Sequence, residues 1–590
     1  MIQSLNALTI SPGLASVTLT QPLQLHVATA CVTDADVTWN AAGGTISSSG
    51  LYTPSATAGS YAITATLNAN PNVTGQATVD VTDYSGTLTW RNDNSRSGIN
   101  SHELALAPAT VKSTFGKIFS CPSSADGPLD GYVYSQPLYV SNLKIGIETH
   151  NVVFVATEKD SVYAFDADAN PCKELWKTRL IPPGSRAVET PNFQITSTDI
   201  VPFVGITGTP VIDLSMNTPT LYVVAATQTI ANNPIYNVHL YALDVPTGQP
   251  EIQPAGVEIA TPAGLAPGFS QELENQRAAL LLDNRNVYIG FGSYGGQGDY
   301  HGWLFGYDSS TLQRTGVFNV TPDTFQGGIW QSGGGPSADS DHHVYVGTGD
   351  GAFNAAQGLN LHSYSNSFLR LGTAGGLSVS DYFTPCDQAV LQTLGLDVGA
   401  SAPVLVLDSP SQPHLLIGGS KSGTLYVMNP DSMGGFQCPD LPQEVQIGGP
   451  IFSTPLFWNN AVYIAPGNSS KLMSFPISGG ILASSPSASQ SPETMGPQGA
   501  TPVISSNGTN SAILWLIDTS GAQTWPTASG PAILRAYDPN NLSNEIYHSS
   551  TDAASHDTAG PAVKFTVPTV ANGKVYVGTQ TELDVYGLLQ

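Results

Sequence analysis

The chain has 590 residues, of which 19 are Lys or Arg and 44 are Asp or Glu, so its formal net charge is -25. A field of this sign repels phosphate backbones and anionic lipid, which excludes nucleic acid and membrane surfaces as expected partners. The length exceeds the usual size of a single core, and 60 Gly and 43 Pro with only 11% charged residues favour short strands joined by turns over helical bundles.

The N-terminal residues and the polar composition bear on where the protein is found. No apolar run is long enough to span a bilayer, and the first residues, MIQSLN, lack the basic and apolar regions of a secretion signal. We take Met1 as the start of a trimmed chain. The low Lys content and the richness in Ser, Thr, Asn and Gly favour an exported protein, either extracellular or periplasmic.

Residues 1–83 show the alternation of short, half-buried strands at the spacing of a β-sandwich. The alternating segments are SVTLT (16–20), LQLHV (23–27), VTW (37–39), YAITATL (61–67) and ATVDVT (77–82). Trp39 on a central strand, followed by GGTISSSGLYTP (43–54), resembles the bacterial immunoglobulin-like (Ig-like) domains of surface and secreted proteins. The resemblance implies an Ig-like domain over residues 1–83, for which spacer or packing module is the commoner role.

The rest of the chain, residues 84–590, is repetitive. From residue 131 onward a unit of strand, turn and strand recurs about every 35 to 55 residues, a period that indicates a repeat architecture. The second strand appears as SVYAFD (161–166), LYALD (240–244), LFGYD (304–308), SFLRL (367–371), LYVMN (425–429), LMSF (472–475), LRAYD (534–538) and LDVY (583–586). Each unit alone would expose two apolar faces, so the units must stack in a ring. The sequence therefore predicts an all-β chain in which an eight-bladed β-propeller follows the Ig-like sandwich.

Two further features of the repeats concern the ends of the ring. The last unit ends close to the C-terminus, and GTLTW (86–90) is the first strand-like segment after the Ig-like domain, so we expect it to complete the final blade. The insertions 181–201 and 351–366 are suited to form a lid over one mouth of the central channel.

The succession of VYVGT and LYALD is that of the pyrroloquinoline quinone (PQQ) repeat, and eight such units resemble the quinoprotein alcohol dehydrogenases. Four segments resemble the site of that family in the same order. GIW, ending at Trp330, resembles the segment that places a Trp under the quinone, and VGTGD, ending at Asp350, resembles a turn that supplies a calcium ligand. TPCD (384–387) followed by Asp397 resembles the segment with the catalytic base, and Lys421 falls where a cation faces the quinone oxygens.

This resemblance implies a secreted oxidoreductase that oxidises a small-molecule alcohol or carbohydrate with PQQ and calcium in the propeller channel. Asp397 would take the hydroxyl proton as catalytic base, and Trp330 and Lys421 would bind the quinone. Asp350, Asp397 and Asp299 would bind the metal. No C-x-x-C-H haem motif is present, so electrons would leave to a separate protein or dye.

Several positions depart from the family. The vicinal Cys pair that covers the other face of the quinone is absent, and Phe452 aligns with a quinone-contacting Asn. Asp299, or more weakly Gln297, stands near the family's metal-binding Glu. Lanthanide-type members carry an additional Asp where this chain has Gly399, so calcium is the expected metal. These departures leave a second class of function open: a cofactor-free extracellular propeller that binds a glycan or a surface partner, with the Ig-like domain as a spacer.

Each candidate residue also has a purely structural interpretation. Trp330 could pack between blades, Asp350 could stabilise a tight turn, Asp397 could cap a loop, and Lys421 could be a solvated turn residue. The HH pair at 342–343 suggests a metal site, but neighbouring strand residues point to opposite faces, so a surface turn is the better interpretation.

The five cysteines include no C-x-x-C pair, which disfavours a zinc site or a thioredoxin-type site. In an exported protein we expect Cys121 to pair with Cys172 and Cys386 to pair with Cys438, which leaves Cys31 alone. The alternative is five free thiols in the interior.

Overall fold

The computed structural model describes residues 6–123, 125–192, 194–216, 218–260, 266–358, 360–407, 409, 413–440, 442–521, 530–552 and 554–589. Within these residues the α-helices are Pro108–Thr114 (α1) and Gln388–Leu394 (α2), and the 3-10 helices are Asp34–Asp36, Gln331–Gly333 and Val398–Ala400. Neither described α-helix has the length or the apolar character needed to cross a bilayer. All other regular structure described is β-strand, so the predicted all-β class is confirmed.

The first nine strands belong to the N-terminal region and are β1 (Ile10–Ser11), β2 (Leu14–Thr18), β3 (Leu23–Gln24), β4 (His26–Val27), β5 (Val37–Ala41), β6 (Thr45–Ile46), β7 (Leu51–Thr53), β8 (Gly59–Leu67) and β9 (Thr74–Thr82). A four-stranded sheet has the order β2-β9-β8-β5, and a three-stranded sheet has the order β3-β7-β6. Trp39 and Ile63 of the first sheet share one apolar core with Tyr52 of the second. The core thus lies between two sheets, as in a β-sandwich.

This sandwich core is formed by residues 8–81 alone, and few polar contacts join it to the remaining chain. Ser16 Oγ donates a hydrogen bond to the Asn572 carbonyl (3.3 Å), and Asn151 Nδ2 donates one to Thr18 Oγ1 (3.0 Å). Because its core is separate, deleting residues 1–80 should leave residues 84–590 soluble and cooperatively folded. Thermal melting by circular dichroism checks this expectation, and a broad, non-cooperative melt of the shortened chain would contradict it.

Strands β10 (Gly86–Thr87), β11 (Ile99–Asn100) and β12 (Phe115–Cys121) follow the sandwich. The strands after them are β13 (Leu138–Ile145), β14 (Glu148–Ala156), β15 (Ser161–Asp166), β16 (Lys173–Arg179), β17 (Ser185–Glu189), β18 (Phe203–Val204), β19 (Val211–Asp213), β20 (Thr220–Thr229), β21 (Tyr236–Asp244), β22 (Pro250–Glu258), β23 (Glu274–Gln276), β24 (Leu281–Asp283), β25 (Asn286–Ser293), β26 (Trp303–Asp308), β27 (Arg314–Asn319), β28 (Ser337–Ala338), β29 (Val344–Gly347), β30 (Phe368–Gly372) and β31 (Ser378–Phe383). Seven of the eight predicted second strands begin within one residue of the start of a strand in the structure, and LYALD (240–244) forms the second half of β21.

The remaining strands are β32 (Val404–Val406), β33 (Leu415–Gly419), β34 (Thr424–Met428), β35 (Gln443–Gln446), β36 (Leu456–Trp458), β37 (Ala461–Ile464), β38 (Met473–Ser478), β39 (Ile481–Leu482), β40 (Val503–Asn507), β41 (Asn510–Asp518), β42 (Ile533–Asp538), β43 (Asn541–His548), β44 (Thr569–Ala571), β45 (Lys574–Gly578) and β46 (Leu583–Leu588). In the described part of the chain, the strands after residue 84 form eight sheets, built in chain order on β13–β16, β17–β22, β23–β27, β28–β31, β32–β35, β36–β39, β40–β43 and β44–β46. We number these sheets 1 to 8.

The apolar faces of the sheets are buried against each other in chain order. Each of seven separate clusters of buried side chains lies between one sheet and the next, from sheets 1 and 2 through sheets 7 and 8. An eighth cluster joins Val585 of sheet 8 to Val153 and Tyr139 of sheet 1. The described sheets therefore form a closed ring, which leaves no sheet face without a neighbour.

The prediction that residues 86–90 complete the last sheet is wrong. Strand β10 pairs with β13 of sheet 1, whereas β12 pairs with β46 and completes sheet 8. The stretch after β10 is used differently: the buried Arg91 and Arg96 donate hydrogen bonds to the carbonyls of Pro455, Pro502, Pro336 and Leu280. Those carbonyls belong to four different parts of the ring, so this stretch lies across the axis and joins the sheets there.

Both predicted disulfides are present, Cys121–Cys172 and Cys386–Cys438, and Cys31 is free and exposed. The alternative of five buried thiols is therefore wrong. Cys121 ends β12 in sheet 8 and Cys172 precedes β16 in sheet 1, so the first disulfide links the two sheets at which the ring closes.

Candidate functional site

A cavity of about 380 Å³ lies at the centre of the ring. Its lining residues are Asp199, Arg277, Gly295, Gly296, Tyr300, Trp330, Ser332, Asp350, Asp397, Ala400, Lys421, Phe452, Gln498, Lys564 and Phe565. These residues come from segments that range from sheet 2 to the connection before sheet 8, and only a position near the axis is within reach of all of them. The cavity has the volume of a typical small-molecule site.

The predicted residues Trp330, Asp350, Asp397 and Lys421 all line this one cavity. They are spread over ninety residues of sequence and belong to connections around sheets 4 and 5. Sequence similarity in four short segments thus corresponds to a single place in the structure, and this shared location is what a functional role requires.

The indole of Trp330 lies against backbone that only glycine can supply. A Cβ added to Gly292 would lie 2.9 Å from Trp330 Cδ2, and one added to Gly328 would lie 2.7 Å from Nε1. A Cβ on Gly349 would lie 3.1 Å from Cδ1. The Tyr300 ring packs edge-on, with centroids 6.4 Å apart. The indole is therefore fixed in orientation at the cavity wall.

The backbone after Trp330 is strained. Gln331 and Ser332 both have positive φ values, 49° and 47°, in a region that residues other than glycine rarely adopt. Ser332 Oγ donates a hydrogen bond to the Ala400 carbonyl (2.7 Å), which ties this turn to the segment that carries Asp397. Such strain is concentrated at functional sites, where the surrounding structure holds it.

Asp397 is the most constrained of the four residues, and its carboxylate is 6% exposed. Its Oδ1 accepts a hydrogen bond from the Asp350 backbone N–H (2.7 Å), and its Oδ2 forms an ion pair with Lys421 Nζ. The backbone N–H of Lys421 also donates to the Asp397 carbonyl (3.0 Å). Asp397 thus joins the Asp350 turn to the Lys421 turn.

The two carboxyl groups differ in their affinity for protons. Burial, together with the neighbouring Asp397 carboxylate, raises the pKa of Asp350 to about 7. Burial acts in the same direction on Asp397, but the Lys421 cation and the hydrogen bonds from Asp350 outweigh it and hold the pKa of Asp397 below its ordinary value. At neutral pH Asp397 is therefore ionised, while Asp350 is protonated in about half of the molecules. A carboxylate that stays ionised at neutral pH is available to accept a proton from a bound hydroxyl.

The other side of the cavity carries residues that the sequence analysis missed. The Arg277 guanidinium lies 5.0 Å from the centroid of the Phe565 ring, and Lys564 Nζ lies 5.6 Å from it. The Phe452 and Phe565 centroids are 5.9 Å apart. Burial, aided by the Arg277 charge, lowers the pKa of Lys564 to about 7. Arg277 lies in the largely apolar segment QRAALLL (276–282), and Lys564 lies in PAVKFTV (561–567). A single charged residue in an apolar segment was the only sequence signal that could have marked either of them as a site residue.

Asp299 does not join the other predicted residues. It is exposed and is not among the residues that line the cavity. Gln297 accepts hydrogen bonds from the backbone N–H and hydroxyl of Thr196 (3.0 and 3.2 Å), so it holds the 181–201 insertion instead. That insertion contributes Asp199 to the cavity, whereas the described residues of the 351–366 insertion contribute none.

The two adjacent histidines lie in a turn, as expected. His342 Nδ1 is 2.9 Å from Asp283 Oδ2, and His343 Nδ1 is 3.0 Å from Asp339 Oδ2. Across the part of the chain that the structure describes, no cluster of three or more His, Cys, Asp or Glu side chains could hold a metal ion.

PQQ and calcium each require particular side chains in a binding cavity. A flat ring system with three carboxylates requires an aromatic surface and cations, and Trp330, Arg277, Lys421 and Lys564 supply both. Calcium takes six to eight oxygen ligands, and the described cavity offers the side chains of Asp350 and Asp397 close together. The residues fit the quinone, and they supply two of the ligands for a calcium ion.

The sequence matches no model of a known protein family and no curated protein. Solved structures do match its fold. A quinohemoprotein alcohol dehydrogenase from Comamonas testosteroni aligns with a TM-score of 0.52 at 14% identity over 85% of this chain and 80% of its own. One from Pseudomonas putida HK5 gives 0.52 at 14% identity, over 86% and 81%. A europium-containing methanol dehydrogenase gives 0.53 at 13% identity, over 85% and 98%. These likenesses show that residues of this chain adopt the propeller fold of such enzymes.

Proposed function

We propose that this protein is an exported PQQ-dependent oxidoreductase of alcohols or carbohydrates, with its site in the axial cavity of an eight-bladed propeller. One observation carries the proposal: Trp330, Asp350, Asp397 and Lys421, chosen from short sequence segments, line a single cavity. The eight sheets are the blades, and the N-terminal sandwich is an Ig-like spacer.

Each residue has a distinct task in this proposal. When bound, PQQ supplies the carbonyl chemistry that accepts two electrons. Trp330 would hold the ring system flat against its indole, because Gly292, Gly328 and Gly349 fix the orientation of that indole. Asp397 accepts the proton of the substrate hydroxyl at its carboxylate, and the Lys421 cation keeps that carboxylate ionised beforehand. Asp350 and Asp397 would hold a calcium ion.

The proposal is tested by dye-linked oxidation. The purified chain is incubated with PQQ and Ca²⁺ and assayed for reduction of an electron-accepting dye with primary alcohols and aldoses as substrates. We expect dye reduction that requires PQQ and a substrate hydroxyl. Absence of turnover across the substrate panel, with PQQ bound, would contradict the proposed function.

Metal preference is a second expectation. The position two residues after Asp397 is Gly399, where a Cβ would lie 2.4 Å from the Gly347 carbonyl carbon and 2.5 Å from Thr348 N. No carboxylate can be accommodated there, so a trivalent ion would lack an anionic ligand. We expect Ca²⁺ to bind at least as tightly as La³⁺ in the presence of PQQ, measured by isothermal titration. Tighter binding of La³⁺ would reverse this assignment.

The second candidate function is a cofactor-free binding propeller, and one observation favours it. Phe452 and Phe565 line the cavity with centroids 5.9 Å apart, on the side where the family has polar contacts to the quinone. Aromatic rings of this kind can pack against the apolar faces of sugar rings, so this pair suits a glycan. Saturable glycan binding without any PQQ binding would favour this function.

A further inference from the structure

The charges in the cavity form two groups that are balanced differently. Around Asp397, the carboxylate is paired with Lys421 and hydrogen-bonded to the Asp350 backbone. Around Phe565, two cations lie against one aromatic ring. The first group thus pairs opposite charges by direct contact, whereas the second places two cations beside one ring, with Asp199 of the same cavity attracting both.

Arg277 is the more deeply buried of these two cations. It is 5% exposed, and in the described part of the chain its guanidinium forms no hydrogen bond and no ion pair. Asp199 lines the same cavity and attracts Arg277 electrostatically, but no described ion pair joins the two. A guanidinium carries five N–H donors in a planar fork that matches the geometry of a carboxylate.

Other buried arginines in this chain behave in the opposite way. Arg91 and Arg96 are fully buried, and each donates hydrogen bonds to several backbone carbonyls, with distances from 2.7 to 3.3 Å. Those two side chains hold the sheets together at the ring axis. Arg277 has no such partners, so holding the fold together does not account for its presence in the cavity.

Phe565 holds a position that brings both cations to the cavity. Its φ is 66°, in the left-handed region that is unfavourable for a bulky residue. This conformation puts the ring beside the Arg277 guanidinium, while Lys564, which is 8% exposed, lines the same cavity. Two cations and an apolar ring in a concave site are complementary to an organic anion.

We propose that Arg277, Lys564 and Phe565 form a carboxylate-binding subsite, in which the guanidinium binds the carboxylate and the ring packs against the carbon skeleton that bears it. The carboxylate is that of a hydroxy-acid substrate such as a sugar acid, and the quinone is the alternative occupant that the test distinguishes. Binding at this subsite requires no turnover, so the inference goes beyond the proposed oxidoreductase activity.

The test uses the full chain and a matched pair of probes. Gluconate carries a carboxylate, whereas glucose is a neutral molecule of the same size; PQQ is the third probe. Affinities are measured by isothermal titration for the wild type, Arg277→Met and Lys564→Met. Lys173→Met is the control, because Lys173 is exposed on β16 outside the cavity.

We expect gluconate to bind the wild type and glucose to bind much more weakly. Arg277→Met should weaken the binding of the anion on the order of 10- to 100-fold, the usual effect of losing charge-assisted hydrogen bonds. Lys564→Met should weaken it less, and Lys173→Met should leave it unchanged. If the affinity for gluconate depends on Arg277, the subsite binds a substrate carboxylate. If only the affinity for PQQ depends on it, these cations serve the cofactor and the inference fails.

Two results would overturn the inference. One is an Arg277→Met variant that binds gluconate within twofold of the wild type, and the other is glucose binding as tightly as gluconate. The melting temperature of the ligand-free protein distinguishes a binding role of Arg277 from a structural role. Removing a buried charge that has no hydrogen-bonded partner should leave this temperature unchanged or raise it. The gluconate titration contains no PQQ, so absence of dye-linked turnover contradicts the oxidoreductase proposal and leaves this subsite standing.

Discussion

Replacing Asp397 by Asn should lower kcat of the PQQ-loaded protein by about 10² to 10⁴, because Asn keeps the shape of the side chain but cannot accept the hydroxyl proton. The size of the effect follows from the position of Asp397: it is ionised at neutral pH, nearly buried, and oriented by hydrogen bonds from the Asp350 backbone and by Lys421. The measurement is kcat in the dye-linked assay at saturating substrate and saturating PQQ.

The matched control is Asp341→Asn, since Asp341 is an exposed aspartate in a turn outside the cavity. We expect this control to retain wild-type turnover. If Asp397 served only to cap a loop, Asp397→Asn would cost roughly 1 kcal/mol of stability and leave kcat per folded molecule unchanged. That outcome would remove Asp397 from the proposed chemistry.

Loss of the Cys121–Cys172 disulfide should have the largest effect on stability. The two cysteines are separated by 51 residues, and cross-linking a loop of this length stabilises by roughly 4 kcal/mol in the chain-entropy model. The double variant Cys121→Ser with Cys172→Ser also loses the link between sheets 8 and 1, where the ring closes. We expect a lower midpoint of urea unfolding in this variant.

Cys31→Ser is the control for this experiment, because Cys31 is exposed and unpaired. It should unfold at the same urea concentration as the wild type. Non-reducing peptide mapping of the native protein should recover both disulfides and a single alkylatable thiol. Equal stability of the double variant and the wild type would show that pairing between β12 and β46 closes the ring without help from the disulfide.

The repeats could be predicted from sequence because each second strand repeats one apolar pattern with aromatic residues, as in Leu304–Asp308 and Leu534–Asp538. The strand that closes the ring could not be predicted, because its pairing with the last sheet depends on long-range contacts that a local sequence pattern does not contain. GTLTW at 86–90 alternates, whereas FGKIFSC at 115–121 has two adjacent apolar residues and a register shift between Lys117 and Phe119, so the local pattern favours the wrong segment. The choice between them depends on Arg91 and Arg96, which bind carbonyls across the axis and take the first stretch out of the last sheet.

The residues of the site also divide into those that could be predicted from the sequence and those that could not. Trp330, Asp350, Asp397 and Lys421 lie in short segments with recognisable spacing, so their shared location could be anticipated. Arg277, Lys564 and Phe565 belong to stretches without a motif, and they meet only because the ring brings sheet 3 close to the connection before sheet 8. Asp299 is the opposite case. Its position in the sequence matched a metal-ligand segment, but its side chain is exposed and lies outside the cavity.

The most direct test of the account is equilibrium dialysis of PQQ against the purified chain and against Trp330→Ala. The account predicts saturable binding of one PQQ per wild-type chain and much weaker binding to Trp330→Ala, whose cavity lacks the indole that the quinone would lie against. If the wild type binds no PQQ, or if Trp330→Ala binds it with the affinity of the wild type, the quinone site is not in this cavity.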